Sequence, residues 1–208
     1  MNMLKHLVLL LFLCSNCALA QKVVKKSIVD SHISAIHIDV NNCYELSLET
    51  SMENEVMAEA IIDGEYKKDL ALKLHQSGDT YFISAGFQPL FQNPNDKLSA
   101  HKVVSISLKL IVPQYLNVSI DGGNCNVEIS GDYKLLKTTL NDGSCTLLDV
   151  KEEVDVMTNS GNIYVQATAA IVDAETKYGK LNSDELPASD NRYHLSSITG
   201  NINITKTE

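Results

Sequence analysis

The side chains of this chain that could attack, ligate or relay a proton are few: five cysteines, six histidines and a scatter of carboxylates. Cys125 and Cys145 each stand two residues after a glycine, at the same place in two successive turns. In an oxidising compartment they could be joined by a disulfide between neighbouring strands. Directly stacked parallel residues hold their Cβ atoms about 4.8 Å apart, wider than the roughly 3.5–4.5 Å of a disulfide, which favours two buried thiols acting as small apolar residues. A cysteine nucleophile would need a histidine base beside it. His32, His37, His75, His101 and His194 follow no informative spacing, and His32 and His37, on opposite faces of one strand, could not share a metal. Asp121, Asp142, Asp149, Asp155, Asp173 and Asp184 do not recur at one repeat position, as the carboxylate cluster of a polysaccharide lyase or hydrolase would. The chain has no tryptophan, which weakens a sugar-stacking groove, although tyrosine can substitute. A period near 20 without regular aspartates disfavours calcium-binding nonapeptide repeats. No catalytic residue, metal ligand or cofactor site is expected.

The elements that carry these residues are set by a repeat. Gly123, Gly143, Gly161, Gly179 and Gly200 each open a short alternating strand, at intervals of 20, 18, 18 and 21 residues. Two positions after each glycine stand Cys125, Cys145, Ile163, Leu181 and Ile202, which predicts a single internal column. Four positions after stand Val127, Leu147, Val165, Ser183 and Ile204, and three before stand Ile120, Leu140, Thr158, Thr176 and Ser197, so the inward face thins towards the C-terminus. Parallel β-solenoid coils fit this pattern. Asp142-Gly143 and Ser160-Gly161 are equally good hairpin turns, so an antiparallel meander stays open. On the outward parity, three residues after each glycine, Asn126, Thr146, Tyr164, Asn182 and Asn203 form a polar column. It is either ordinary solvated β-surface or a contact stripe for a polymer or an envelope protein.

The ends and the composition narrow the class. Residues 1–20 carry Lys5, the apolar run from Leu7 to Leu13 and Ala18-Leu19-Ala20, the anatomy of a cleaved secretory signal. Cys14 and Cys17 offer a lipid anchor as a rival, disfavoured because Leu13 and Asn16 are not the small residues a lipoprotein peptidase prefers. No later segment reaches the roughly 20 apolar residues of a membrane helix. The net charge is −9, with Arg192 the only arginine, so nucleic acid is an unsuitable partner. Residues 21–32, with Lys22, Lys25 and Lys26, read as a frayed, solubilising arm. From residue 33 to 112 the alternation of Ile36, Ile38, Val40, Leu46, Leu48, Leu70, Leu72 and Leu74 predicts half-buried strands, antiparallel or mixed, with hairpin turns at Asp63-Gly64 and Ser77-Gly78-Asp79. Met52 to Ile61 also reads as a strand. The loop from Gly86 to Lys102 carries Phe87, Leu90 and Phe91, which either plug one end of the core or form a contact tip.

The strand Leu108 to Pro113 ending in Val-Pro, the strand through Val118, and the glycine-started Gly123-Asn-Cys-Asn-Val127 resemble the bacterial putative-adhesin domain family. Thr158-Asn-Ser-Gly-Asn-Ile-Tyr-Val165 and Ser197-Ile-Thr-Gly-Asn-Ile-Asn-Ile204 repeat its Ser/Thr-Gly-x-Ile-x-Val unit. Tyr178-Gly179 departs from it, and residues 183–192 lengthen one coil. The resemblance implies an all-β, exported, non-enzymatic protein: one domain over 33–208, with parallel β-solenoid-like coils over 113–208, periplasmic or on the cell surface. Its expected partners are surface polymers or envelope proteins. A polysaccharide-acting solenoid enzyme and a structural or signalling envelope module are the alternatives. The last strand, Ile202 and Ile204, ends close to Glu208 and predicts an open edge for self-association.

Overall fold

Two-residue alternation runs through the whole chain, and the structure answers it with strands throughout. The computed structural model describes residues 21–30, 32–91 and 104–207, and all regular structure in them is β. The expected leader with Cys14 and Cys17, His101, and Glu208 lie outside the described residues. Six strands precede the segment 88–103: β1 (Lys22–Val29), β2 (Ala35–Asp39), β3 (Glu45–Ser51), β4 (Glu55–Gly64), β5 (Leu70–Ser77) and β6 (Thr80–Phe87). Nine follow it: β7 (Val104–Pro113), β8 (Asn117–Asn124), β9 (Asn126–Asp142), β10 (Cys145–Thr158), β11 (Ile163–Ala167), β12 (Ile171–Thr176), β13 (Leu181–Ser183), β14 (Arg192–Ser197) and β15 (Ile202–Lys206).

All fifteen strands join in one mixed sheet, bent into two faces because β9 and β10 serve both. The first face runs β1-β4-β7-β3-β9-β10-β11-β15-β13, and the second runs β5-β6-β2-β8-β9-β10-β14-β12. β9 bends at Gly131, whose φ of 109° is open only to glycine and whose Cβ would fall 2.0 Å from Thr50 Oγ1. β10 bends where Asp149 and Glu152 take positive φ, and there Asp149 Oδ1 accepts from the Thr168 amide and the Thr168 and Thr207 hydroxyls. One apolar core lies between the faces, from Ile36 and Leu46 through Leu108 and Ile129 to Leu195 and Ile202.

The N-terminal half is partly antiparallel: β1 with β4, β4 with β7, and β5 with β6. Gly78-Asp79 makes the expected hairpin between β5 and β6. Asp63-Gly64 does not, because β4 and β5 belong to opposite faces and the following residues cross between them. Residues 22–29 are no frayed arm. Val24 and Ile28 pack against the core, and that apolar parity pins β1 in register along β4. Phe87 and Phe91 stack at 4.2 Å with Tyr66 edge-on to both, while Leu90 stays 93% exposed, so two of the three loop apolars fold down as a plug.

The glycine turns connect parallel strands, not hairpins. Cys145 pairs with Val127 below it and with Ile163 above it. Ile163 then pairs with Ile202, and Ile202 with Leu181. Space therefore departs from sequence order: the last unit, β14–β15, slides in beneath the fourth, β12–β13. The extended connection 184–191 makes this possible by returning the chain under β12, where Ala170 N bonds Pro187 O and the Ser189 hydroxyl bonds Ala169 O. The glycines repeat the same order. A Cβ on Gly161 would lie 1.7 Å from Gly143 O, one on Gly200 1.9 Å from Gly161 O, and one on Gly179 2.0 Å from Gly200 O. Each turn rests its backbone on the one below, which only a residue without a side chain permits.

Three expectations change with this register. Gly143 sits over the backbone of Cys125, so the first unit is out of step by two residues and Gly123 has no place in the ladder. Cys125 and Cys145 share no row, and the 20-residue first interval is the cause. Leu181 is 47% exposed on the outermost strand instead of buried in a column. The last strand is not an edge, since β15 is flanked by β11 and β13.

Candidate functional site: a polar row across the first face

Parallel register turns every outward residue into a member of a row, spaced at about 4.8 Å per strand. The row through Tyr164 reads Lys25, Glu59, Lys109, Ser47, Glu128, Thr146, Tyr164, Asn203, Asn182, charged over its first three members and largely uncharged from Ser47 on. Thr146, Tyr164, Asn182 and Asn203 are thus brought together as the sequence predicts, with the last two exchanged. Asn126 is not among them. It stands one row over, beside Glu45, and its Oδ1 accepts from the backbone amide and hydroxyl of Ser144. The same device recurs upward: Asn162 Oδ1 accepts from the Asn201 amide, and Asn201 Oδ1 from the Lys180 amide. These asparagines are turn-to-turn staples.

The row is ordered. Asn162 Nδ2 donates to the Tyr164 hydroxyl at 3.2 Å, and Asn182 Nδ2 donates to Asn203 Oδ1 at 2.9 Å. Tyr164 is 39% exposed, with its hydroxyl held by Asn162. One strand below, a shallow depression of about 180 Å³ opens between Asn126 and Thr146, with Glu45, Ser47, Glu128 and Ser144 on its walls. Hydroxyl, amide and carboxylate groups thus share one concavity, and groups of these types can exchange hydrogen bonds with a polyol.

The remaining chemistry sorts into structure. Cys43, Cys125 and Cys145 are free thiols, and burial pushes each up to about 12 from 9.0, with Cys43 adding to the shift of Cys125. Such thiols hold their protons at neutral pH and are poor nucleophiles. Strands β2 and β8 bring His37 beside Ser119 and Asp121, residue types that together resemble a hydrolytic triad. Ser119 Oγ at 2.8 Å and Asp121 Oδ2 at 3.6 Å both face Nδ1, however, so the imidazole cannot take a proton on one nitrogen while a carboxylate orients the other. His194 pairs with Asp173 at 3.4 Å on the same face, and His32 with Asp30 at 3.4 Å near the far end. Among the described residues no three potential ligands gather around a metal position, and no helix is long and apolar enough to cross a membrane.

Sequence reasoning passed over the hydroxyls of the thinning inward face. Ser197 Oγ accepts from the Gly200 amide at 2.9 Å, Thr176 Oγ1 from the Gly179 amide at 3.1 Å, and Thr158 donates to Gly161 O at 2.6 Å. Each caps a glycine turn from inside. The signal was present as Ser/Thr-x-x-Gly in three successive units.

No family profile and no curated protein matches the sequence. The fold is similar to that of a putative cell adhesion protein from Clostridium sporogenes, with a TM-score of 0.62 at 13% identity over 90% of this chain and 100% of that one. A putative adhesin from Bacteroides fragilis matches over 90% of this chain and 98% of its own at a TM-score of 0.40 and 11% identity. At 13% identity the likeness to the Clostridium protein is one of fold.

Proposed function

We propose that the protein is an exported, adhesin-like, non-enzymatic scaffold whose parallel layers form a β-solenoid and whose first face holds a surface polymer of the polysaccharide class. The observation that carries the reading is the ordered row Ser47-Glu128-Thr146-Tyr164-Asn203-Asn182 with its depression at Glu128 and Thr146. A rigid sheet loses little entropy when a ligand lies along it, and repeated polar positions at a fixed spacing suit a repeating partner. The fold likeness to a cell adhesion protein points the same way. The test is retention of the purified protein on insoluble polysaccharide or isolated cell envelope, compared with Tyr164→Lys and Asn203→Lys. Retention lost in both variants supports the row; retention unchanged in both removes it.

A second reading has one observation in its favour. Glu45 and Glu128 line the same depression, and paired carboxylates are the machinery of glycoside hydrolysis. Both are exposed, whereas an acid catalyst needs burial to keep its proton at neutral pH, so the depression is read as a binding feature. New reducing ends released from polysaccharide by the wild type and abolished by Glu128→Gln would reverse that assignment.

A further inference from the structure

The stack has two open ends, and their charges differ in sign. Among the described residues, β1 and β5 are the edge strands at one end, each hydrogen-bonded on one side only; at the other the edges are β13 and β12. β1 and β5 contain Lys22, Lys25, Lys26 and Lys73 and no carboxylate. β12 and β13 contain Asp173 and Glu175 and no lysine or arginine; the turn between them carries Lys177 and Lys180, and the connection that follows adds Asp184, Glu185 and Asp190, so the layer stays acidic. Lys22 and Lys73 donate to the carbonyls of Leu70 and Phe87, which leaves their charges unneutralised; Lys25 is matched to Glu59, and Lys26 points to solvent. At the opposite end Glu175 is exposed and Asp173 leans on His194. The same terminal layer leaves Ile171 and Leu181 about half exposed.

A lone sheet edge invites another strand, and charges along it decide which one. Two lysine edges repel one another, as do two acidic edges, so each end is guarded against its own kind and open to the other. We propose that copies of this chain join head to tail, the β12–β13 end of one meeting the β1–β5 end of the next, so that both faces continue from molecule to molecule. The contact is heterologous and does not close by itself, so the product is a linear series.

Sedimentation velocity of the purified protein over a wide concentration range tests this at low and at high salt. The expected result is an open series of species at low salt that reverts to monomer at about 0.5 M, where screening acts within a few ångströms. Lys25→Glu/Lys26→Glu, and separately Asp173→Lys/Glu175→Lys, should each weaken association at least tenfold, and mixing the two variants should restore it. Far-UV circular dichroism of both variants confirms that these exposed substitutions leave the fold intact. A monomer at every concentration, a closed dimer, association indifferent to both reversals, or no recovery on mixing would each overturn the proposal.

Discussion

The two halves of this molecule build the same core by different means. Up to Pro113, parallel and antiparallel pairs alike line up large aliphatics, Leu46 and Leu48 with Leu108 and Leu110 in parallel register and Ile62 with Ile106 in antiparallel register, all of them buried. From Thr158 onward, where β11 to β15 run only three to six residues, the inward residues before the glycines shrink to Thr158, Thr176 and Ser197, and the turns themselves stack backbone on backbone. Side-chain area holds the first half. In the second, hydroxyl caps and glycine contacts make up for the area that small residues cannot bury.

The sharpest test sets one glycine against another. Gly161→Ala puts a Cβ into Gly143 O and should cost about 3 kcal/mol or more, whereas Gly123→Ala, whose nearest foreign atom is Asn41 Oδ1 at 3.6 Å, should change stability by under about 1 kcal/mol. Urea denaturation of the two variants measures the gap, and equal costs would remove the ladder as a distinct device. Next, Ile163→Ala and Leu181→Ala alter one row at an interior and a terminal position. Losses of about 3 and below about 1 kcal/mol are expected in thermal melts, and a costly Leu181 change would contradict the layer order. Ser197→Ala deprives the Gly200 amide of its acceptor and should lose about 1–2 kcal/mol, while Ser196→Ala beside it should be near neutral. Thr138 is buried with an unpartnered hydroxyl among the described residues, so Thr138→Val should raise stability by about 1 kcal/mol.

Alkali distinguishes the halves less sharply, because both hold buried acids with raised values. Cys43, Cys125 and Cys145 at about 12, and Tyr193 likewise at about 12, keep their protons when folded in a range where the unfolded chain has lost them. The native state then binds more protons, so stability is full below about pH 9 and falls as pH rises towards 12. A denaturation midpoint that holds steady from pH 8 to 11 would contradict it, and so would rapid thiol labelling of the folded protein at pH 8.

Much of this was legible beforehand. Period-two alternation found the strands, because a half-buried sheet needs that pattern at every step, and the core parity of Ile36, Ile38, Leu46 and Leu48 was correct. From Gly143 onward the alignment on glycines also predicted true row partners. The first unit failed because spacing by glycine assumes that glycine marks the turn, and there the backbone of Cys125 does so. Layer order was hidden for a different reason: an extended connection such as 184–191 can carry the chain in either direction, and no local pattern records which neighbour a strand will meet. The displacement of Asn126 from the polar row and the depression beside Glu128 follow from those two features, so no inspection of single positions could have assembled them.

The exchanged final layers also separate the order of synthesis from the order of assembly. β12 and β13 are made first but have no place to dock until β14 and β15, made after them, lie between them and the rest of the body. The tip of the structure is therefore completed backwards, and a chain stopped near Asp190 would lose two layers at once instead of one.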